Sequence, residues 1–162
     1  MPFTLSHDEL LTILVRLITA GTGTLGFAMV YRTSPKKLPV AILGGMLTYA
    51  MYELIHLLGG GIMAAAFCSA LVMAIFSEVF ARIMKAPAIL FLFACLIPIV
   101  PGNALYNTVY NLLSYNEEKL LANAKITMET VLGIAVGLGV ASIIIGIVLQ
   151  ILKVIKTKLK KE

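Results

Sequence analysis

The residues most able to do chemistry in this chain sit inside long apolar runs. From Phe93 to Asn107 the sequence reads Phe-Ala-Cys-Leu-Ile-Pro-Ile-Val-Pro-Gly-Asn-Ala-Leu-Tyr-Asn. Pro98 and Pro101 have no backbone N–H, so a helix running through them leaves the carbonyls of Ala94 and Ile97 without their usual donors. Gly102 loosens the backbone beside them, and Asn103 is a good N-cap for a second half-helix. A helix starting there aims free N–H groups and the positive end of its dipole at one spot, a favourable place for a carboxylate. Gly102, Asn103, Tyr106 and Asn107 are therefore candidate substrate-binding residues, and Pro98, Pro101 and Gly102 make the helix break. A bare proline kink is the competing reading. The coincidence of two prolines, a glycine and a capping asparagine favours a site.

Three other places carry charge within apolar sequence. Arg16 lies about two turns into the first run, where its planar fork suits a carboxylate, although snorkelling to the interface competes equally. Glu78 and Arg82 are four apart, the spacing of a pair along one helix face. A structural interfacial pair is the favoured reading, with Glu78 also a candidate for proton coupling. Glu53 and His56 fall near the end of the second run; headgroup contact is the simpler reading and a protonatable pair in an outer vestibule the weaker one.

Soluble chemistries find no foothold. Cys68 and Cys95 share no CxxC spacing and have no nearby His, so they read as free buried thiols. There is no nucleotide loop, no metal-ligand cluster and no Ser–His–Asp order; no catalytic residue, metal or cofactor is expected, and the chain does not read as an enzyme. Tyrosines and a basic tail do not make a nucleic-acid surface on a chain otherwise fit for lipid.

The elements that must position these residues follow from composition. Of 162 residues, 60% are hydrophobic and 13% charged, and the mean hydropathy is +0.98. Too few charges are present to cover a soluble domain of this size. Five runs meet the need for about 20 mostly apolar residues: Leu10–Tyr31, Leu38–Leu58, Ile62–Met84, Pro87–Leu113 and Ile126–Leu152. The expectation is an all-α integral membrane bundle of about five transmembrane helices over residues 1–152, the fourth broken at Pro98–Gly102, with a basic cytosolic tail over 153–162. Loops are short except the one opened by Tyr115-Asn-Glu-Glu-Lys119. Met1 to Leu10 lacks a basic n-region and a cleavage site, so the first run reads as a retained span.

Basic residues orient the bundle. Arg32, Lys36 and Lys37, then Arg82 and Lys85, then Lys153, Lys156, Lys158, Lys160 and Lys161 fall on one side of five spans, placing the N-terminus outside and the tail in the cytosol. Small residues punctuate the spans, including a GxxxG at Gly133 and Gly137. Close packing within the bundle is the main reading of that motif, and a docking face for a second subunit the sharper alternative.

The chain resembles the small, C-terminal-type half of the threonine/serine exporter family. The resemblance rests on Gly23-Thr-Leu-Gly-Phe-Ala28 leading through Pro35-Lys36, on Glu78 with Ala81-Arg82, Lys85 and Pro87-Ala88, and most specifically on Ile97-Pro-Ile-Val-Pro-Gly102 followed by Tyr106. It implies a subunit of an inner-membrane exporter that works with a larger partner subunit of the same family. The substrate it implies is a small carboxylate, threonine and serine or a dicarboxylate such as succinate. The alternative is a non-transporting structural or assembly subunit of a membrane complex. The lipid bilayer is the expected surrounding in either case.

Overall fold

The computed structural model describes residues 7–159. The helices are α1 (His7–Val30), α2 (Leu38–Leu57), α3 (Ile62–Ile83), α4 (Ala88–Leu96), α5 (Gly102–Leu113) and α6 (Glu117–Leu159), with short 3₁₀ turns at Pro35–Lys37 and Ile97–Ile99. No strand occurs among the described residues. Four helices are long and apolar enough to cross a membrane, and five spans result when the bent α4–α5 pair counts as one.

Four helices stop by the same device. Arg32, Gly59, Lys85 and Tyr115 adopt positive φ. The next N–H in each case bonds back across the turn: Thr33 to the Ala28 carbonyl at 3.0 Å, Gly60 to Ile55 at 2.8 Å, Ala86 to Ala81 at 2.9 Å and Asn116 to Asn111 at 3.0 Å. These left-handed caps satisfy carbonyls that a helix end otherwise leaves open. They also reverse the chain within a few residues after α1, α2, α3 and α5. Ala28, Ala41, Ala81, Phe91 and Ala94 pack together as one buried cluster, which gathers the ends of α1 and α3 with the starts of α2 and α4 beside the two basic turns.

Helix α3 is central because its sequence is small on several sides. Ala65, Ala66, Ser69, Ala70, Ala74, Ser77 and Ala81 are all buried, letting neighbouring backbones come close. Gly133 and Gly137 of α6 lie directly on it. A Cβ at Gly133 would stand 2.5 Å from the Met63 carbonyl oxygen, and one at Gly137 would stand 2.6 Å from that of Phe67. The GxxxG is thus used inside the bundle, as its main sequence reading held.

The last helix begins earlier than its apolar run. It starts at Glu117 rather than near Ile126, leaving only Ser114, Tyr115 and Asn116 as the connection. The Asn116 side-chain oxygen accepts the Lys119 N–H at 3.2 Å, and Glu117 and Glu118 occupy the first turn, where acidic groups complement the helix dipole. The polar stretch that reads as a loop is therefore a cap and a first turn. At the other end α6 continues to Leu159, so the start of the basic tail is helical. Met1 to Ser6, and Lys160 to Glu162 of that tail, lie outside the described residues.

The fourth span is broken where its prolines fall. Residues Ile97–Ile99 tighten into a 3₁₀ turn, and the two half-helices meet at 56°. The Ile97 carbonyl, deprived of Pro101 as a donor, is recovered by the Val100 N–H at 3.3 Å, while the Gly102 N–H bonds to the Val100 carbonyl at 2.8 Å. Ile99 is buried, which wedges the turn into the bundle.

Candidate functional site

A cavity of about 310 Å³ opens at the break, lined by residues 98–104 with Tyr52 of α2 and Asn123, Ile126 and Thr130 of α6. Gly102 and Asn103 are among its walls. Asn103 is not the N-cap, however: α5 begins at Gly102 with Pro101 in the capping position. Proline serves there because it has no N–H to leave unsatisfied. The first return bond within α5 runs from the Leu105 N–H to the Pro101 carbonyl at 2.9 Å. The N–H groups of Asn103 and Ala104 come before it and have no acceptor within the helix. The Asn103 side-chain oxygen instead accepts from the Asn107 amide at 3.1 Å, and the Asn107 carbonyl accepts from Asn111 at 2.7 Å. This ladder of side chains stiffens the first two turns of α5.

The cavity's polar groups are neutral. Tyr52, Asn103, Asn123 and Thr130 supply hydroxyls and amides, and no charged residue lines it. The Thr130 hydroxyl donates to the Ile126 carbonyl at 2.8 Å and the Asn123 amide to the Lys119 carbonyl at 2.8 Å, so each still offers an acceptor oxygen. Tyr106 is not part of this lining; it is 67% exposed and stacks with Tyr110 at 6.4 Å between ring centroids. Asn107 reaches the site only through Asn103.

Arg16 belongs to a different place. It lines a second cavity of about 310 Å³ with Asp8, Glu9, Thr12, Ile13, Glu53 and Leu57. Its guanidinium meets the Glu53 carboxylate at 2.7 Å, where the side chains are 54% and 12% exposed. The Tyr49 hydroxyl donates to the same carboxylate oxygen at 2.8 Å. The pair ties α1 to α2, so Arg16 has a protein partner and does not merely snorkel. Glu78 and Arg82 pair as their spacing predicts, with bonds of 2.7 and 3.1 Å. They border an apolar groove between α3 and α6 formed with Ile75, Val79, Ile144 and neighbouring residues.

The structure thus brings Pro98, Pro101, Gly102 and Asn103 together and sets Arg16, Glu78 and Tyr106 apart from them. Sequence reasoning missed Tyr52, Asn123 and Thr130, and it paired Glu53 with His56 rather than with Arg16. A signal was present: Tyr49, Tyr52, Glu53 and His56 follow the spacing of one helix face, as do Asn123, Thr127 and Thr130. Among the described residues no group of three His, Cys, Asp or Glu is placed to hold a metal ion.

A family model described as Threonine/Serine exporter, ThrE matches residues 16–144. Neither a curated protein nor a solved structure matches the chain.

Proposed function

Because the chain belongs to the threonine/serine exporter family, a family of membrane transporters, we propose that it is the small subunit of an inner-membrane exporter, that it works with a larger partner subunit, and that the break cavity holds the carboxylate of its substrate. The carrying observation is the coincidence at one spot of a helix start, a cavity and a set of neutral polar side chains. Two uncommitted N–H groups and the dipole of α5 suit one negative charge. With no cation in the lining, a second carboxylate would stay uncompensated, which favours threonine or serine over succinate. Such broken helices hold substrates in other secondary transporters, where unwound backbone survives because it lines a cavity.

The orientation we propose has the N-terminus outside and the basic turns in the cytosol. In it Arg16 and Glu53 lie toward the outer face, with Arg16 a candidate for receiving the substrate carboxylate on exit. Glu78, near the inner end of α3, is the candidate for proton coupling.

Replacing Pro101 with Ala, or Gly102 with Leu, tests the reading. Gly102 has open space around it, so a larger side chain fits the fold while filling the cavity. Efflux of threonine and serine is expected to fall about ten-fold or more while membrane abundance stays within about two-fold, the loss of one or two bonds to a charged group. Equal losses of efflux and abundance would return the break to the status of a kink. Efflux unaffected by any change at the break, with abundance dependent on Gly133 and Gly137, would instead support a structural or assembly subunit.

A further inference from the structure

Tyr52 contributes a ring to the wall of the break cavity and stands apart from the other polar groups there. Asn103, Asn123 and Thr130 each spend a polar atom on the chain itself. The Tyr52 hydroxyl makes no hydrogen bond to another described residue, although the Glu53 carboxylate acts on it electrostatically, and its ring meets two neighbours. That ring is held between two neighbours on α2. Tyr49 stacks on one side, with centroids 6.2 Å apart and planes at 24°. His56 meets it edge-on at 5.1 Å and 65°. Tyr49 is in turn held by its hydroxyl on Glu53, and Glu53 by Arg16 from α1. A donor without a hydrogen-bond acceptor, on a ring held by its neighbours in the wall of a cavity, is preorganised for a ligand, because little freedom remains to be lost when the bond forms.

We propose that Tyr52 is a substrate-contacting residue whose hydroxyl donates to the substrate carboxylate in the break cavity, and that Arg16, Glu53 and Tyr49 act on transport by positioning its ring. The proposal rests on the reading of the break cavity as the substrate site and adds the residue on the facing helix that completes it. The clamp joins α1 to α2, whereas the cavity lies between α2, the break and α6. A movement of α1 therefore changes how firmly Tyr52 is held from outside the break cavity.

The test uses the full chain together with its exporter partner, in cells lacking other threonine efflux, with efflux measured across graded internal threonine and serine. Tyr52→Phe keeps the ring and its stacking and removes only the hydroxyl. It should raise the half-saturating substrate concentration about ten-fold at unchanged membrane abundance, the effect of losing one bond to a charged group. Tyr49→Phe, which frees Glu53 from α2's hydroxyl but leaves the cavity wall intact, should shift the same parameter less. In the Tyr52→Phe background it should add nothing, since its effect passes through that hydroxyl. Gly102→Leu, which fills the cavity, is measured in parallel. If Gly102→Leu abolishes efflux and Tyr52→Phe leaves half-saturation unchanged, the Tyr52 assignment falls and the break site stands. If neither alters efflux, both fall. If Tyr52→Phe lowers abundance or only the maximal rate, Tyr52 is a structural residue and the assignment is overturned. Additive effects of the two tyrosine changes overturn the positioning role.

Discussion

The seam between α3 and α6 and the break between α4 and α5 solve opposite problems with the same small residue. At the seam, Gly133 and Gly137 leave no space: a Cβ at either would come within 2.9 Å of a neighbouring Ala66 or Ala70 methyl as well as a carbonyl oxygen. At the break, nothing lies within 4 Å of where a Gly102 Cβ would be. Lipid offers no hydrophobic drive to hold helices together, so a membrane bundle relies on close approach, and the seam supplies it. The break gives up two helical hydrogen bonds and regains part of that through a 3₁₀ turn, leaving the N–H groups of Asn103 and Ala104 without an acceptor within the helix. One region is built to stay closed and the other to stay open.

The largest expected effect separates them directly. Gly137→Leu should cost about 3 kcal/mol or more and remove most of the folded protein from the membrane, because overpacking against backbone cannot be relieved by a rotamer change. Gly102→Leu should leave abundance nearly intact and strike transport instead. Within α6 itself, Gly139 has open surroundings, so Gly139→Leu should stay within about 0.5 kcal/mol of the parent. Thermal unfolding in detergent and membrane abundance measure all three. If Gly137→Leu and Gly139→Leu behaved alike, the seam would not be where the bundle is closed.

A middle-sized effect belongs to the tie between α1 and α2. Arg16→Leu leaves Glu53, only 12% exposed, without its cation, and should destabilise by about 1–2 kcal/mol after allowance for the half-exposed arginine. The double change Arg16→Leu with Glu53→Leu should recover more than half of that loss, since the stranded charge is gone. Additive losses would show that each residue has other partners of equal weight.

The smallest effect is at the turns that set the frame for both regions. Lys85 carries φ of 49°, a conformation costly for a residue with a Cβ and free for glycine. Lys85→Gly should raise the unfolding midpoint slightly, by the equivalent of about 0.5 kcal/mol. A loss of stability would mean that the lysine side chain contributes more to the turn than its backbone strain removes.

The seam was legible as a motif and the break as a breaker cluster, because glycine and proline act locally, through what they lack. The start of α6 was not legible. Asn116, Glu117 and Glu118 are polar, and apolar periodicity is blind to a cap and first turn lying outside the bilayer's demand for apolar residues. Arg16 was visible as a misplaced charge, yet its partner Glu53 lies on another helix, and no spacing within one segment encodes a contact between two. Tyr106 read as a cavity residue from its distance along α5, whereas the bend at Pro98–Pro101 decides which residues of α5 the cavity meets.

By itself the sequence determined a helical membrane chain, the number of its apolar runs, the place of the break and the family, since each depends on composition or on local backbone chemistry. Only the tertiary structure decided that α3 takes up the GxxxG, that Glu53 holds Arg16, and that Tyr52, Asn123 and Thr130 join the break as one cavity. Those outcomes depend on which helices meet and at what rotation, and these follow from the joint packing of many small residues rather than from any one segment.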